Sequence, residues 1–343
     1  MALIQTRRGF LGGIAGAGAA CVASAADGAA LVRARSALCA SDELETTSVR
    51  LVNDGVICEA PLMAATELLK AEGFTDIRYV DVPVDVRYGS ALAGSRADFG
   101  FNFALFDIAA LEELGGETVL AGVHVGCFEL FAQNEIRSIV GLKGKSVGLQ
   151  RSPPGLLRLM ALQVGLDPAN DIKWVTGADA QVRPLDLFAA GKIDAFLGFP
   201  PEPQELRAQG LRHVILNTAL DRPWSQYFCC TLVGDRDYIR KYPVATKRVV
   251  RAILKTTDLC AADPAGIARR IVEGGFTPRY DYALQTLSDV PYNNWRDFDI
   301  EDSLRFYALR MREAGLITST PQQVIAKGTD WRFLNELKRE LKA

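Results

Sequence analysis

The chain reads as an α/β protein with two lobes, and three observations carry that reading. Short β-branched and aromatic runs alternate with amphipathic helical stretches from Val49 onward, the alternation comes in two blocks, and the pattern beyond Val244 is almost all helical. Such alternation predicts mostly parallel sheets covered by helices on both faces.

In the first block, Val49–Val52 is a predicted strand. Pro61 opens a helix carrying Leu62, Met63, Leu68 and Leu69, and Gly73 ends it, with proline at the first turn and glycine past the last. Strands are expected at Ile77–Val82, Ala97–Gly100 and Thr118–Val125, with helices closing at Gly94 and spanning Leu105–Leu114. The second block repeats the rhythm. Strands are predicted at Ser146–Gln150, Ile172–Val175, Ile193–Leu197, His213–Leu216 and Tyr227–Val233, with helices at Pro154–Val164 and Pro184–Ala190. Pro264, Pro291 and Pro321 break the helical tail. The lobes should join near 124–128 and 224–232. This places lobe 1 at 48–125 plus 229–343 and lobe 2 at 126–228.

Residues 1–25 read as an export signal. Arg7-Arg8 precede an uncharged, Gly- and Ala-rich stretch too short to span a membrane, and Ala23-Ser24-Ala25 supplies a cleavage site. The expected destination is the periplasm by the twin-arginine route, with Cys21 as an alternative point of lipid attachment. Residues 26–47 read as a flexible lead-in. Without residues 1–25 the chain keeps 37 basic against 41 acidic residues. That mild, interspersed acidity argues against nucleic acid or an anionic membrane surface as partner. Beyond the signal, Cys39, Cys58, Cys127, Cys229, Cys230 and Cys260 match no zinc or haem spacing, so most are expected as small buried apolar residues.

Four segments, taken in order, carry a resemblance. They are Glu59-Ala60-Pro61-Leu62, Ala91-Leu92-Ala93-Gly94-Ser95-Arg96-Ala97-Asp98-Phe99-Gly100, Leu142-Lys143-Gly144-Lys145-Ser146-Val147-Gly148 and Ala189-Ala190-Gly191-Lys192-Ile193-Asp194-Ala195. Together they resemble the nitrate/taurine/alkanesulfonate class of ABC-importer periplasmic binding proteins, a class that includes binders of a thiamine pyrimidine precursor. The resemblance implies a type II-like two-lobed fold, a hinge of crossing strands, a small-molecule ligand in the cleft and an inner-membrane ABC permease as partner. It implies a monomer with no cofactor and no catalytic residue.

In open α/β sheets ligands gather at the carboxyl ends of strands, where helix N-termini present free N–H groups. Those places hold Cys58 and Glu59, Asn102 and Phe103, Gln150, Arg151 and Ser152, and Phe199 and Glu202. Trp224, Gln226 and Tyr227 lie beside the second crossing. Pro153 and Pro154 remove two donors that an oxyanion would want, while Arg151 is a forked donor for a carboxylate. Phe199 and Trp224 suit stacking on a flat ring. Glu59 suits a cationic group. Glu202 reads better as a helix-dipole partner than as a ligand contact.

Three other readings stand beside this one. Converging Cys58, Cys127 and Cys229 thiols would favour a soft metal such as Cu(I). A receptor reporting to a sensor would share the fold. An enzyme of the pyrimidine-synthase kind needs a Lys/His/Cys constellation not found here, and His124 and His213 lie in apolar runs.

Overall fold

A computed structural model describes residues 43–82, 92, 96–113, 115–149, 155–176 and 182–341. Residues 1–25, read above as an export signal, and residues 26–42 of the lead-in lie outside the described residues, as do Gln150, Arg151 and Ser152. From Leu44 onward the chain forms one compact unit.

Among the described residues, ten strands build two five-stranded sheets. The first sheet comprises β1 Ser48–Asn53, β2 Asp76–Asp81, β3 Phe99–Phe103, β4 Glu117–Val125 and β10 Phe228–Asp235. The second comprises β5 Glu129–Ala132, β6 Lys145–Leu149, β7 Ile172–Thr176, β8 Ala195–Gly198 and β9 Val214–Asn217. Their orders are β2-β1-β3-β10-β4 and β7-β6-β8-β5-β9. These are one topology used twice. In each sheet the fourth position is filled by an antiparallel strand adjoining a crossing between lobes, β10 after the return and β5 after the outward passage. Each sheet therefore has two parallel and two antiparallel pairings among its described strands, mixed rather than mostly parallel. Hydrophobic pattern reports burial and is blind to strand direction, so the antiparallel sense of the inserted strands was not foreseeable from it, although β10 itself was expected at Tyr227–Val233. The central strands β3 and β10 are buried at every position, as strands covered on both faces must be, and the edge strand β4 is buried throughout as well.

The helices follow in chain order: α1 Ala60–Met63, α2 Thr66–Ala71, α3 Ala104–Glu113, α4 Gly155–Gln163, α5 Pro184–Ala189, α6 Glu202–Ala208 and α7 Arg236–Lys241. The tail adds α8 Pro243–Ala262, α9 Pro264–Glu273, α10 Tyr280–Asp289, α11 Ile300–Glu313, α12 Pro321–Gly328 and α13 Arg332–Glu340. The helix expected from Pro61 to Gly73 is broken between Met63 and Thr66. The Tyr79 hydroxyl, on β2, lies 3.0 Å from the Leu62 carbonyl and 3.1 Å from that of Met63, and so offers its proton to the carbonyls at the break, where Leu62 also accepts the Ala65 N–H. In the tail, Pro264 and Pro321 open new helices. Asp263 caps α9 through the Gly266 N–H, and Thr320 with Gln323 forms a capping box on α12.

The aspartates of two recurring motifs turn out to be matching staples. Asp98 accepts the Arg50 backbone N–H at 2.7 Å, while its own N–H donates to the Arg50 carbonyl at 2.8 Å. Asp194 accepts the Ser146 N–H at 2.8 Å, and its N–H donates to the Ser146 carbonyl at 3.0 Å. Both pairs are 48 residues apart. Each ties the second strand in its sheet's spatial order, β1 or β6, to the entry of the third, β3 or β8. Asp98 also takes the Arg50 guanidinium, at 3.2 Å from Nε and 2.5 Å from Nη2. Asp98→Ala removes charge-assisted bonds and is expected to cost about 2 kcal/mol. A urea titration reads this as a lowered midpoint at unchanged slope, and an unchanged midpoint would refute the staple.

Candidate functional site

Two crossings join the sheets, one at 126–128 and the other between β9 and β10. They are bonded to each other. The Phe128 N–H donates to the Thr218 hydroxyl at 2.9 Å, and the Thr218 N–H donates to the Phe128 carbonyl at 2.9 Å. Gly126 takes φ +31°, and a side-chain carbon there would stand 2.1 Å from the Thr218 carbonyl oxygen. The hinge is thus a close backbone approach that only glycine permits.

Around it runs an arc of aromatic rings contributed by both sheets. Phe199, after β8, lies 5.3 Å from Phe128, which lies 5.1 Å from Phe103 at the end of β3. Phe103 meets Tyr307 of α11 at 5.7 Å, and Tyr307 meets Tyr227 at 6.3 Å. Tyr227 stacks on Phe306 at 3.9 Å with the planes 8° apart. Phe128, Phe199, Tyr227 and Phe306 are half-buried. The arc therefore presents ring surface at the hinge instead of losing all of it to the core. The lobes also touch away from the crossings. The start of α4 at Gly155 packs on Leu105 of α3, and Arg207 of α6 reaches to 3.9 Å from Asp289 of α10. Arg207 binds both Glu129 oxygens, at 2.6 and 2.5 Å. Burial pushes the Glu129 carboxyl up, and the guanidinium draws it back.

The residues singled out by sequence distribute unevenly about this hinge. Phe103, Phe199 and Tyr227 belong to the aromatic arc. Trp224 is buried edge-on against Phe306 at 5.8 Å, and Gln226 is exposed. Asn102 is buried; its side-chain oxygen accepts the Phe103 N–H and its carbonyl accepts the Thr231 hydroxyl. Glu202 accepts the Phe199 N–H at 3.1 Å and so braces the turn that carries that ring. Cys58 and Glu59 are buried in a 3-10 turn, Ile57–Glu59, immediately before α1. Phe128, Phe306 and Tyr307 were missed. Phe128 sits in a three-residue crossing with no periodicity, and α11 reaches the hinge only through the tertiary fold.

Sulfur gathers on the inner side of the hinge. Cys58, Cys127 and His124 place one thiol each and a ring nitrogen within 4.8 Å of one another, and Cys229 Sγ lies 3.5 Å from Cys127 Sγ. The contact with Cys127, followed by burial, pushes the Cys58 thiol up. Burial also lowers His124 to about 4, against the pull of the Val125 and Cys58 carbonyls, so the ring is neutral. Its Nδ1 lies 3.1 Å from the Val125 carbonyl, and Nε2 has no hydrogen-bond partner among the described residues. A second buried group was equally unforeseen. Asp107 of α3 accepts the Thr231 hydroxyl and is pushed up to about 7 by burial, with Thr231 and Asn102 opposing. Glu117 is pushed well up by burial and by the Asp107 charge.

Residues 144–273 match the model of the NMT1-like family. No curated protein sequence matches the chain. Solved structures match along most of its length. The alkanesulfonate-binding protein SsuA from Xanthomonas axonopodis pv. citri, bound to MOPS, is 17% identical. The match covers 81% of this chain and 96% of that one, with a TM-score of 0.65. The periplasmic nitrate-binding protein NrtA from Synechocystis PCC 6803 is 13% identical over 87% and 90%, with a TM-score of 0.69. The periplasmic aliphatic sulphonate binding protein SsuA from Escherichia coli is 19% identical over 80% and 90%, with a TM-score of 0.63. All three are binding proteins and not enzymes. The chain has the two-lobed fold of periplasmic binding proteins, similar in structure over most of its length to nitrate and sulfonate binders, and residues 144–273 match the NMT1-like family.

Proposed function

We propose that this chain is the solute-binding component of an ABC importer, exported by the twin-arginine route to the periplasm. There it captures a small organic molecule between its lobes and delivers it to an inner-membrane permease. The observation that carries this reading is the half-buried aromatic arc, to which both sheets and both crossings contribute. A ligand held there contacts both lobes at once, so it stabilises the closed arrangement by differential contact. Ring faces favour a ligand with a flat or apolar body. No helix among the described residues is long and apolar enough to cross a membrane, which fits a partner that supplies the membrane passage.

A thermal-shift screen of the purified protein tests the proposal, with sulfonates, aromatic carboxylates, pyrimidines, amines and amides as arms. A ligand at 100 times its Kd adds about 2.7 kcal/mol to stability, which a melting curve resolves. Phe199→Ala and Tyr227→Ala are each expected to weaken the best ligand at least about tenfold, the loss of roughly 1.4 kcal/mol of contact, with the circular dichroism spectrum retained. Unchanged affinity in both variants would remove the arc as the binding surface. Silence in every arm would remove the ligand classes named.

A further inference from the structure

We propose that Cys58, His124 and Cys127 form a resident binding site for a single d10 cation, Cu(I) or Zn(II), built into the inner wall of the hinge. The site does not depend on the solute reading. Its three residues come from separate pieces of chain: the turn after β1, the end of β4 and the first crossing. The fold nonetheless brings two sulfurs and a ring nitrogen within 4.8 Å of one another. Metal–sulfur bonds of about 2.3 Å and metal–nitrogen bonds of about 2.0 Å place ligand atoms some 3.5–4 Å apart, so occupancy needs movement of only about an ångström.

The second observation is His124 itself. It is wholly buried and its Nε2 has no hydrogen-bond partner among the described residues. A buried ring nitrogen without a partner carries a desolvation cost that a cation would offset. Nδ1, against the Val125 carbonyl, supplies the backbone contact that commonly orients a ligating imidazole. The donor set selects the ion class, because thiolates with a neutral imidazole suit Cu(I) and Zn(II) and not the hard cations that want oxygen. Cys229, 3.5 Å from Cys127, stands ready as a further sulfur donor.

Burial separates this site from the cargo site. Cys58 and Cys127 are at most 8% exposed and His124 is fully covered, so the ion is held in the wall and not exchanged through the cleft. On binding, the Cys58 and Cys127 thiols each lose a proton to solvent, leaving two thiolates about the ion. No electron is transferred. The bound ion would fasten the first crossing to the carboxyl end of β1.

The test uses the reduced full chain under anaerobic conditions, titrated with Cu(I) against a chromophoric Cu(I) chelator and, separately, with Zn(II) against a chromophoric zinc chelator. One cation per chain in one arm, a thiolate-to-metal absorption band for Cu(I), and two thiols newly protected from alkylation are expected. Cys127→Ser and Cys58→Ser should each lower affinity beyond the roughly 10–100-fold that outer-shell changes cost, while Cys260→Ser leaves it unchanged. Melting curves of the metal-free variants establish that each is folded. If Cys127→Ser fails to fold, Cys58→Ser carries the comparison. Failure of both cations to compete with the chelators would overturn the site. So would equal binding by the serine variants, or a Cys127–Cys229 disulfide in mass spectra of the purified chain that leaves no thiol pair to ligate. Retained solute binding in a metal-free chain would leave the solute reading standing on its own.

Discussion

Asp107→Asn should stabilise the protein near pH 8 and leave it almost unchanged near pH 4. The native carboxyl is wholly buried in the first turn of α3 and titrates at about 7, against 3.8 for the free side chain. Its folded pKa lies above its unfolded one, so the folded state holds the extra proton between those values. The sign follows directly. The stabilising contribution of the protonated carboxyl is fully present below pH 4 and disappears as pH rises through 7. A difference of about three pH units corresponds to about 4 kcal/mol at most. Asparagine keeps the side-chain size and one oxygen for the Thr231 hydroxyl while removing the charge. The neighbouring Glu117 keeps a raised pKa of its own, so a residual slope of the same sign should survive. Urea midpoints of wild type and variant from pH 4 to pH 8 decide the matter. Parallel curves would show that Asp107 ionises at no cost and that the buried polar network relaxes around it.

This carboxyl illustrates where sequence stops being informative. An acid in the first turn of a helix reads as a dipole partner facing water, and nothing local to Asp107 says that Thr231, 124 residues away, closes over it. The strands and most helices were legible because burial imposes a period on them. β5 was not, since its run is only four residues long and opens with the charged Glu129, too short to stand out as a strand. The motif aspartates were visible as motifs but not as physics. Only the pairing of Asp98 with Arg50 and of Asp194 with Ser146 reveals them as the same staple in two sheets. At the hinge, Phe103 and Phe199 were reachable from strand-end reasoning, because the carboxyl ends of strands are where a doubly covered sheet opens, and Tyr227 from its place beside the second crossing. Phe128 and Tyr307 were not, because their place depends on how the crossing and the helical tail fold back. The cysteine cluster was legible as a set of residues near the hinge. That His124 joins it with a free Nε2 could be learned only from the packing.

Gly126→Ala is expected to be the more damaging of two superficially equal substitutions, and comparison with Gly144→Ala isolates the reason. Both glycines have positive φ, +31° and +76°. Alanine at either pays a backbone penalty of roughly 1–2 kcal/mol. At Gly144 an added carbon meets nothing within 4 Å, so that penalty is the whole effect. At Gly126 the same carbon would stand 2.1 Å from the Thr218 carbonyl oxygen and 2.3 Å from the Ala219 nitrogen. These are backbone atoms of the other crossing and cannot rotate away. Relief requires the crossings to separate, which breaks the paired Phe128–Thr218 hydrogen bonds and shifts Phe128 within the aromatic arc. The expected loss exceeds about 3 kcal/mol, from strain together with two disrupted, partly buried bonds. Urea midpoints should therefore fall modestly for Gly144→Ala and steeply for Gly126→Ala. Should the latter accumulate only as insoluble chain while the former purifies normally, the same conclusion follows. Equal midpoints would mean that the crossings slide freely past one another. The hinge would then be a loose joint, and its geometry could no longer explain how binding at the arc is coupled to closure of the lobes.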